Sequence, residues 1–262
     1  MAIAMSQEEL AYLLRLQGKQ AMRGATLDLA PNDENLEKAL LGAAERSLRS
    51  RGWIAVSDDT FSIEQTILGM VGFVLNAPYA IAVRRTPTGG QSHAITYHIS
   101  NALQVSHTGR EGVHVFDVLS GSPARAVLDT MHGGDRVTDS PRETMSGIAA
   151  RVLVAAAAVA QDASLSDDAA LTVLTESGVE AAQAATLLRF YRDEWLATVV
   201  IGVWSPGEEG ADYSSLGFIQ SRGGWWVMFP SSDAPIIDLR PITSTDLTTL
   251  IDETIHKTLA TR

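Results

Sequence analysis

There is no cysteine in these 262 residues, which rules out disulfide frameworks, thiol nucleophiles and thiolate metal sites. Positive charge is also scarce: 20 Lys+Arg stand against 31 Asp+Glu, a formal net charge of −11. That balance argues against nucleic-acid phosphates or anionic lipid as the main partner. Long apolar runs are missing as well. The most apolar stretch, Ile148–Ala160, carries Arg151 and spans only 13 residues, too few to cross a bilayer. The opening Met1-Ala-Ile-Ala-Met-Ser6 has neither the basic segment nor the apolar core of a signal peptide. A soluble, cytoplasmic protein with no membrane insertion is expected.

Catalytic motifs are lacking too. No Gly-x-Ser-x-Gly elbow and no His-Glu-x-x-His helix is present. Gly89-Gly90 and Gly133-Gly134-Asp135 do not link a strand to a helix in a phosphate-binding form, and read as turns. No catalytic, cofactor or metal residue is expected, and the chain reads as a non-enzyme. The six histidines are the one invitation to the contrary, since His93, His98, His107 and His114 gather on or beside one run of strands. His93 and His98 are an odd number of residues apart and point to opposite strand faces. They read as exposed strand-face side chains, with a ligand site or enzyme on this meander as the alternative.

What is present is a pattern of short strands. Ala197–Trp204, Ser214–Ile219, Gly224–Phe229 and Pro235–Leu239 are runs of β-branched and aromatic residues. Gly, Pro, Ser and Asp clusters separate them, as in an antiparallel meander. A helix follows from Ser244 or Thr245 to Ile255. The same succession occurs earlier at a spacing of 120 to 121 residues: Ala80–Val83, Thr96–His98, Val105, Phe116–Val118, then a helix from Pro123 to Met131. So long a period indicates an internally duplicated half-domain rather than a solenoid.

The remaining segments read as helices. Ser6-Gln-Glu-Glu9 is a capping box opening a leucine-rich helix. Leu36–Ser50 has an apolar stripe at helical spacing, and Trp53–Val56 reads as a short extended piece. Further helices are predicted from Thr60 or Ser62 to Leu75, from about Arg142 to Gln161, from Asp168 to Ser177 and from Val179 to Trp195. The fold class is therefore α+β, with two pseudo-symmetric halves, residues 1–137 and 138–262. Each half is an antiparallel meander of about four strands with flanking helices, the two packed as one pseudo-two-fold unit.

Strand alternation places Gly202, Trp204, Gly217 and, further on, Trp226 and Met228 on one face of the second meander. Two glycines beside two tryptophans make a notch with aromatic walls, a candidate site for an apolar partner segment. The alternative is that this face packs against the other half or a helix. Asp117 and Asp238 occupy equivalent positions, either as a paired acid site or as turn residues.

A leucine-rich first helix (Glu8–Leu16), a helix ending in Arg51-Gly-Trp-Ile54, paired α+β halves and a late Gly224-Trp-Trp-Val-Met-Phe-Pro230 strand before a terminal helix form a recognisable layout. It resembles the EspG family of type VII (ESX) secretion-associated proteins over essentially the whole chain. The resemblance implies a pseudo-two-fold α+β fold and a cytosolic chaperone. Such a protein holds the apolar tip of a helical secreted substrate, of PE–PPE or WXG type, and needs no cofactor. A monomer or weak homodimer is expected. A structural homo-oligomer that buries the tryptophan face against its own copy is the further alternative.

Overall fold

The computed structural model describes the chain except residues 1, 20, 24–26, 28, 30–32, 58–59, 101–102, 136, 140–142, 208–209, 231–235 and 261–262. Of residues 60, 207, 210–211 and 257–260 it describes the backbone alone. In chain order the elements are β1 (Ala2–Ser6), α1 (Gln7–Leu16), α2 (Glu34–Ser50), β2 (Ile54–Ser57), β3 (Thr60–Ile63) and α3 (Gln65–Asn76). The first meander, β4 (Tyr79–Pro87), β5 (His93–Ser100), β6 (Leu103–Arg110) and β7 (Val113–Leu119), leads to α4 (Pro123–His132). Then come β8 (Met145–Ala149), α5 (Ala150–Gln161), α6 (Asp167–Glu176), α7 (Ala181–Arg189) and a π-helical turn, Phe190–Glu194. The second meander is β9 (Trp195–Gly207), β10 (Gly210–Ser221), β11 (Gly224–Pro230) and β12 (Ile236–Ile242), followed by α8 (Ser244–Ala260).

Among the described residues ten strands form one antiparallel sheet in the order β1-β7-β6-β5-β4-β9-β10-β11-β12-β8, and β2–β3 is a separate two-stranded ribbon. The α+β class with antiparallel meanders is therefore correct. By packing, the chain divides into two units, neither of them a continuous segment. Unit 1 is Met1–Ala82, Ala94–Pro123 and Val203–Tyr213. Unit 2 is Val83–His93, Ala124–Gly202 and Ser214–Arg262.

In unit 1, Ser6 accepts from Glu9 N–H at 3.2 Å while Glu9 Oε2 accepts from Ser6 N–H at 2.9 Å, so the predicted capping box starts α1. The core joins Ile3 and Met5 of β1, Leu10, Leu13 and Leu14 of α1, Leu48 of α2, Ile67, Met70, Val71 and Val74 of α3, and Val105 and Phe116 of the sheet. Helices α1 and α3 thus cover one face of the β1-β7-β6 strands. In unit 2, Leu153 and Ala156 of α5, Leu174 of α6 and Leu187 and Leu188 of α7 pack with Ile219, Trp226 and Leu239 of the sheet. On the opposite face of these strands Phe218 and Trp225 are fully buried, and His132 of α4 meets the Trp225 ring edge-on at 5.2 Å.

Two expectations about elements need correction. The helix predicted from Thr60 or Ser62 begins only at Gln65, because Thr60–Ile63 pairs with Ile54–Ser57 and the Glu64 carboxylate accepts from Ile67 N–H as the N-cap. The helix predicted from about Arg142, a residue outside those described, begins at Ala150. Gly147 has φ of 72°, a conformation no right-handed helix contains, and its N–H donates to Asp238 Oδ1 at 3.0 Å. That bond, with Ile237 opposite Ile148, makes Met145–Ala149 an edge strand and gives Asp238 a structural task. An element that was not foreseen is β1. Its alternating burial places Ile3 and Met5 inward against β7.

Candidate functional site

The five residues expected to form an aromatic-walled notch are placed differently from one another. In unit 2, Gly217 stands opposite Met228, and Ile219 opposite Trp226, on adjacent antiparallel strands, so all four share a face. That face is the one covered by α5, α6 and α7. Trp226 is 4% exposed and meets Phe190 edge-on, with ring centroids 5.6 Å apart. The Met228 side chain lies directly over Gly217, occupying the space a Cβ would need. These residues therefore fill the expected notch themselves, and Gly202 is buried as well. Trp204 lies in the part of β9 that belongs to unit 1, half-buried, its ring 4.9 Å from that of Tyr213 on β10. Tyr213 is 57% exposed. Of the five candidates Trp204 is thus the one beside open aromatic surface.

A cleft of about 250 Å³ opens on unit 2 between α6, α7 and the π-helical turn. Leu171, Ala185 and Leu188 supply its apolar wall, and Asp167, Arg189, Arg192 and Asp193 its charged rim. The π-helical turn, a geometry frequent at functional sites, carries Arg192, which reaches back to the N-terminal end of α6. Its Nη1 pairs with Asp167 and its Nη2 donates to Leu165 O at 2.8 Å. An apolar wall with a charged rim accepts an apolar side chain from a partner and orients it by polar contacts at the edge. Nothing in the sequence marked this cleft, because its wall residues read only as the buried stripes of two short helices.

His98, His107 and His114 are not exposed, contrary to expectation, whereas His93 is exposed. Register places Thr96 opposite His107, His98 opposite Val105, His107 opposite Phe116, and Gly109 opposite His114. His98, His107 and His114 therefore share one face of unit 1 with Val105 and Phe116, under the helical layer. Their exposures are 0%, 3% and 7%. The His107 ring stacks on Phe116 at 4.6 Å and on His114 at 5.1 Å, and His107 Nε2 is 2.8 Å from His114 Nδ1. Burial lowers the His98 pKa to about 4, with a smaller push from Arg23. It lowers His107 to about 3, reinforced by His114 and His98, and it lowers His114 against the opposing pull of Glu8. These are neutral imidazoles at physiological pH. Among the described residues no group of three or more His, Asp or Glu is arranged to hold a metal.

Arg85 is a further surprise. Paired with Arg84 in sequence it reads as part of a basic edge, yet its side chain is 5% exposed. Its Nε donates to Met131 O at 3.1 Å and its Nη2 to Gln220 Oε1 at 2.8 Å, beside an ion pair with Asp135. It caps the C-terminal end of α4, where a cation is favoured by the helix dipole.

Comparison with solved structures adds to this geometry. The structure of the Mycobacterium tuberculosis type VII secretion system chaperone EspG5, in complex with a PE25–PPE41 dimer, matches with a TM-score of 0.60. The match covers 100% of this chain and 98% of that chain, at 12% sequence identity. The chain shares its fold with EspG5. At this identity the likeness is one of fold. No protein-family model and no curated protein matches the sequence.

Proposed function

We propose that the protein is a non-enzymatic cytosolic chaperone or adaptor that holds an apolar segment of a helical secretion substrate and keeps it soluble, as in type VII secretion. The observation that carries this reading is the end-to-end fold likeness to EspG5, a protein solved with a PE25–PPE41 dimer. A fold shared across 98% of that chain includes whatever frame that chaperone uses to present its surfaces. The client is a helical protein of PE–PPE or WXG type, met by a monomer or a weak homodimer. No helix among the described residues is long and apolar enough to cross a membrane.

The contact surface we assign to the client is the Trp204–Tyr213 pair, with the cleft walled by Leu171, Ala185 and Leu188 as a second contact. Gly202, Gly217, Trp226 and Met228 support the sheet that carries β9. Aromatic anchors such as Trp and Tyr carry much of the binding energy at protein interfaces once a partner desolvates them. The two halves, residues 1–137 and 138–262, are read as products of a duplication. Strands β4 to β7 followed by α4 echo β9 to β12 followed by α8 in order, and each half adds one edge strand, β1 beside β7 and β8 beside β12.

Affinity capture of the tagged protein from its own organism tests the reading. Recovery of a stoichiometric helical protein encoded beside a type VII apparatus supports it. A clean preparation with no such protein, under conditions where the apparatus is expressed, overturns it.

A further inference from the structure

The row His98–His107–His114 has no part in the client surface, and its geometry sets it apart from ordinary core histidines. Each neutral imidazole carries one N–H that needs an acceptor. Yet among the described residues neither ring nitrogen of His98 has a hydrogen-bond partner, and nor does His107 Nδ1. Within the row, His107 Nε2 and His114 Nδ1 satisfy each other. An unpaired polar group in an apolar layer is costly, and a charged one is far costlier.

The charged groups packed against the row offer little to hold a proton there. From α1, Glu8 acts on His114, while Glu9 is engaged by Ser47, Arg51 and Ser6 N–H. Tyr12, also on α1, interacts with Glu45, and Arg15 pairs with Glu37. From the segment after α1, Arg23 opposes a second positive charge at His98 and donates to Ala77 O and Pro78 O. On α2, Glu45 pairs with Arg49. Neither β1 nor α3 contains an ionisable side chain.

We propose that this row is an acid-operated latch on unit 1, admitting protons only when the layer of α1 and α3 lifts from the β5–β6–β7 face. The proposal stands apart from the chaperone reading. The sign follows from proton linkage. In the closed form these groups bind protons more weakly than free histidine, so the opened form takes up more protons below about pH 6.5. Closure is therefore fully favoured above that value and is lost as pH falls toward the depressed values of His98 and His107. Each imidazole contributes up to about tenfold per pH unit to the opening equilibrium.

Hydrogen exchange at about pH 7.5 and about pH 5, corrected for intrinsic rates, tests this. The amides of β5, β6 and β7 should lose at least about tenfold more protection on acidification than those of β11 and β12. Equal loss in the two sets, or none, overturns the latch. A second reading needs no variant: the ring resonances of His98 and His107 should show no protonation shift between about pH 7.5 and about pH 5.5 while the protein stays folded. Ordinary titration of His98 and His107 in the folded protein overturns it too. The double variant His98→Leu with His107→Phe should remove most of the excess loss, while His93→Gln leaves it unchanged. Should the double variant fail to fold, the two wild-type measurements decide the matter.

Discussion

The guanidinium of Arg85 lies against the Cα of Gly133, so closely that a Cβ there would sit 2.7 Å from both Arg85 Cζ and Nε. Gly133 also has φ of 58° just past the end of α4, the left-handed region that glycine occupies without penalty. The two requirements reinforce each other. A side chain at 133 is strained by its own backbone, and it pushes away the cation that caps the helix. Gly133→Ala should therefore lower unfolding free energy by about 1–3 kcal/mol, read as a lower urea midpoint at unchanged m-value. Gly134→Ala shares the positive φ but meets nothing within 4 Å, and should cost less. Equal losses at the two positions would show that the Arg85 contact adds nothing.

Glu9 ties the start of α1 to α2. Its carboxylate, 4% exposed, accepts from Ser47 Oγ at 2.7 Å, Arg51 Nη1 at 2.9 Å and Ser6 N–H at 2.9 Å. Arg51 in turn donates to Ala4 O, which occupies a carbonyl on the open edge of β1 and blunts it for pairing with another strand. Removing the carboxylate leaves those donors without their acceptor, at a cost of about 2–4 kcal/mol for Glu9→Ala. Glu9→Gln, which keeps an acceptor oxygen, should recover part of it. Thermal unfolding of the two variants checks the ranking.

Trp226 and Trp204 should separate stability from binding. Trp226→Ala removes a core ring packed on Phe190 and should cost about 3–5 kcal/mol in unfolding free energy. Trp204→Ala, at a half-buried position beside Tyr213, should leave the fold intact and weaken client capture by about 2 kcal/mol or more. Loss of folding in Trp204→Ala would show that this side chain is core. Unchanged capture would remove it from the client surface.

The cleft on α6 and α7 gives a parallel test. Leu171→Asp introduces a charge on its apolar wall and should reduce client capture at least about tenfold, since an unpaired charge at an interface core is strongly disfavoured. Leu171 is only partly buried, so circular dichroism should remain that of the wild type. Full capture by this variant excludes the cleft.

How much of this was legible beforehand differs by element. The capping box at Ser6–Glu9, the two meanders and the helices after them are written in local residue choice, and alternation placed Trp226 and Met228 correctly on one face. Alternation cannot say what covers that face. Phe190 and Met228 fill it, and Phe190 comes from the π-helical turn that precedes β9 rather than from a strand. His98, His107 and His114 were misread for the same reason. Each sits in a strand whose polar and apolar residues are mixed, and only the register of β5, β6 and β7 stacks them under α1 and α3. Arg85 was invisible because its acceptors, Met131 O and Gln220 Oε1, are supplied by residues 46 and 135 positions away. Edge strands β1 and β8 have short, small-residue sequences whose strand character comes from their partners.

The most direct test of the chaperone reading is co-expression of this protein with the helical secreted protein encoded beside its organism's type VII apparatus, followed by size exclusion with mass determination. The account predicts a stoichiometric complex in which the client is soluble only in the presence of this chain, and which Trp204→Ala weakens. A client that is equally soluble alone and elutes separately would contradict it.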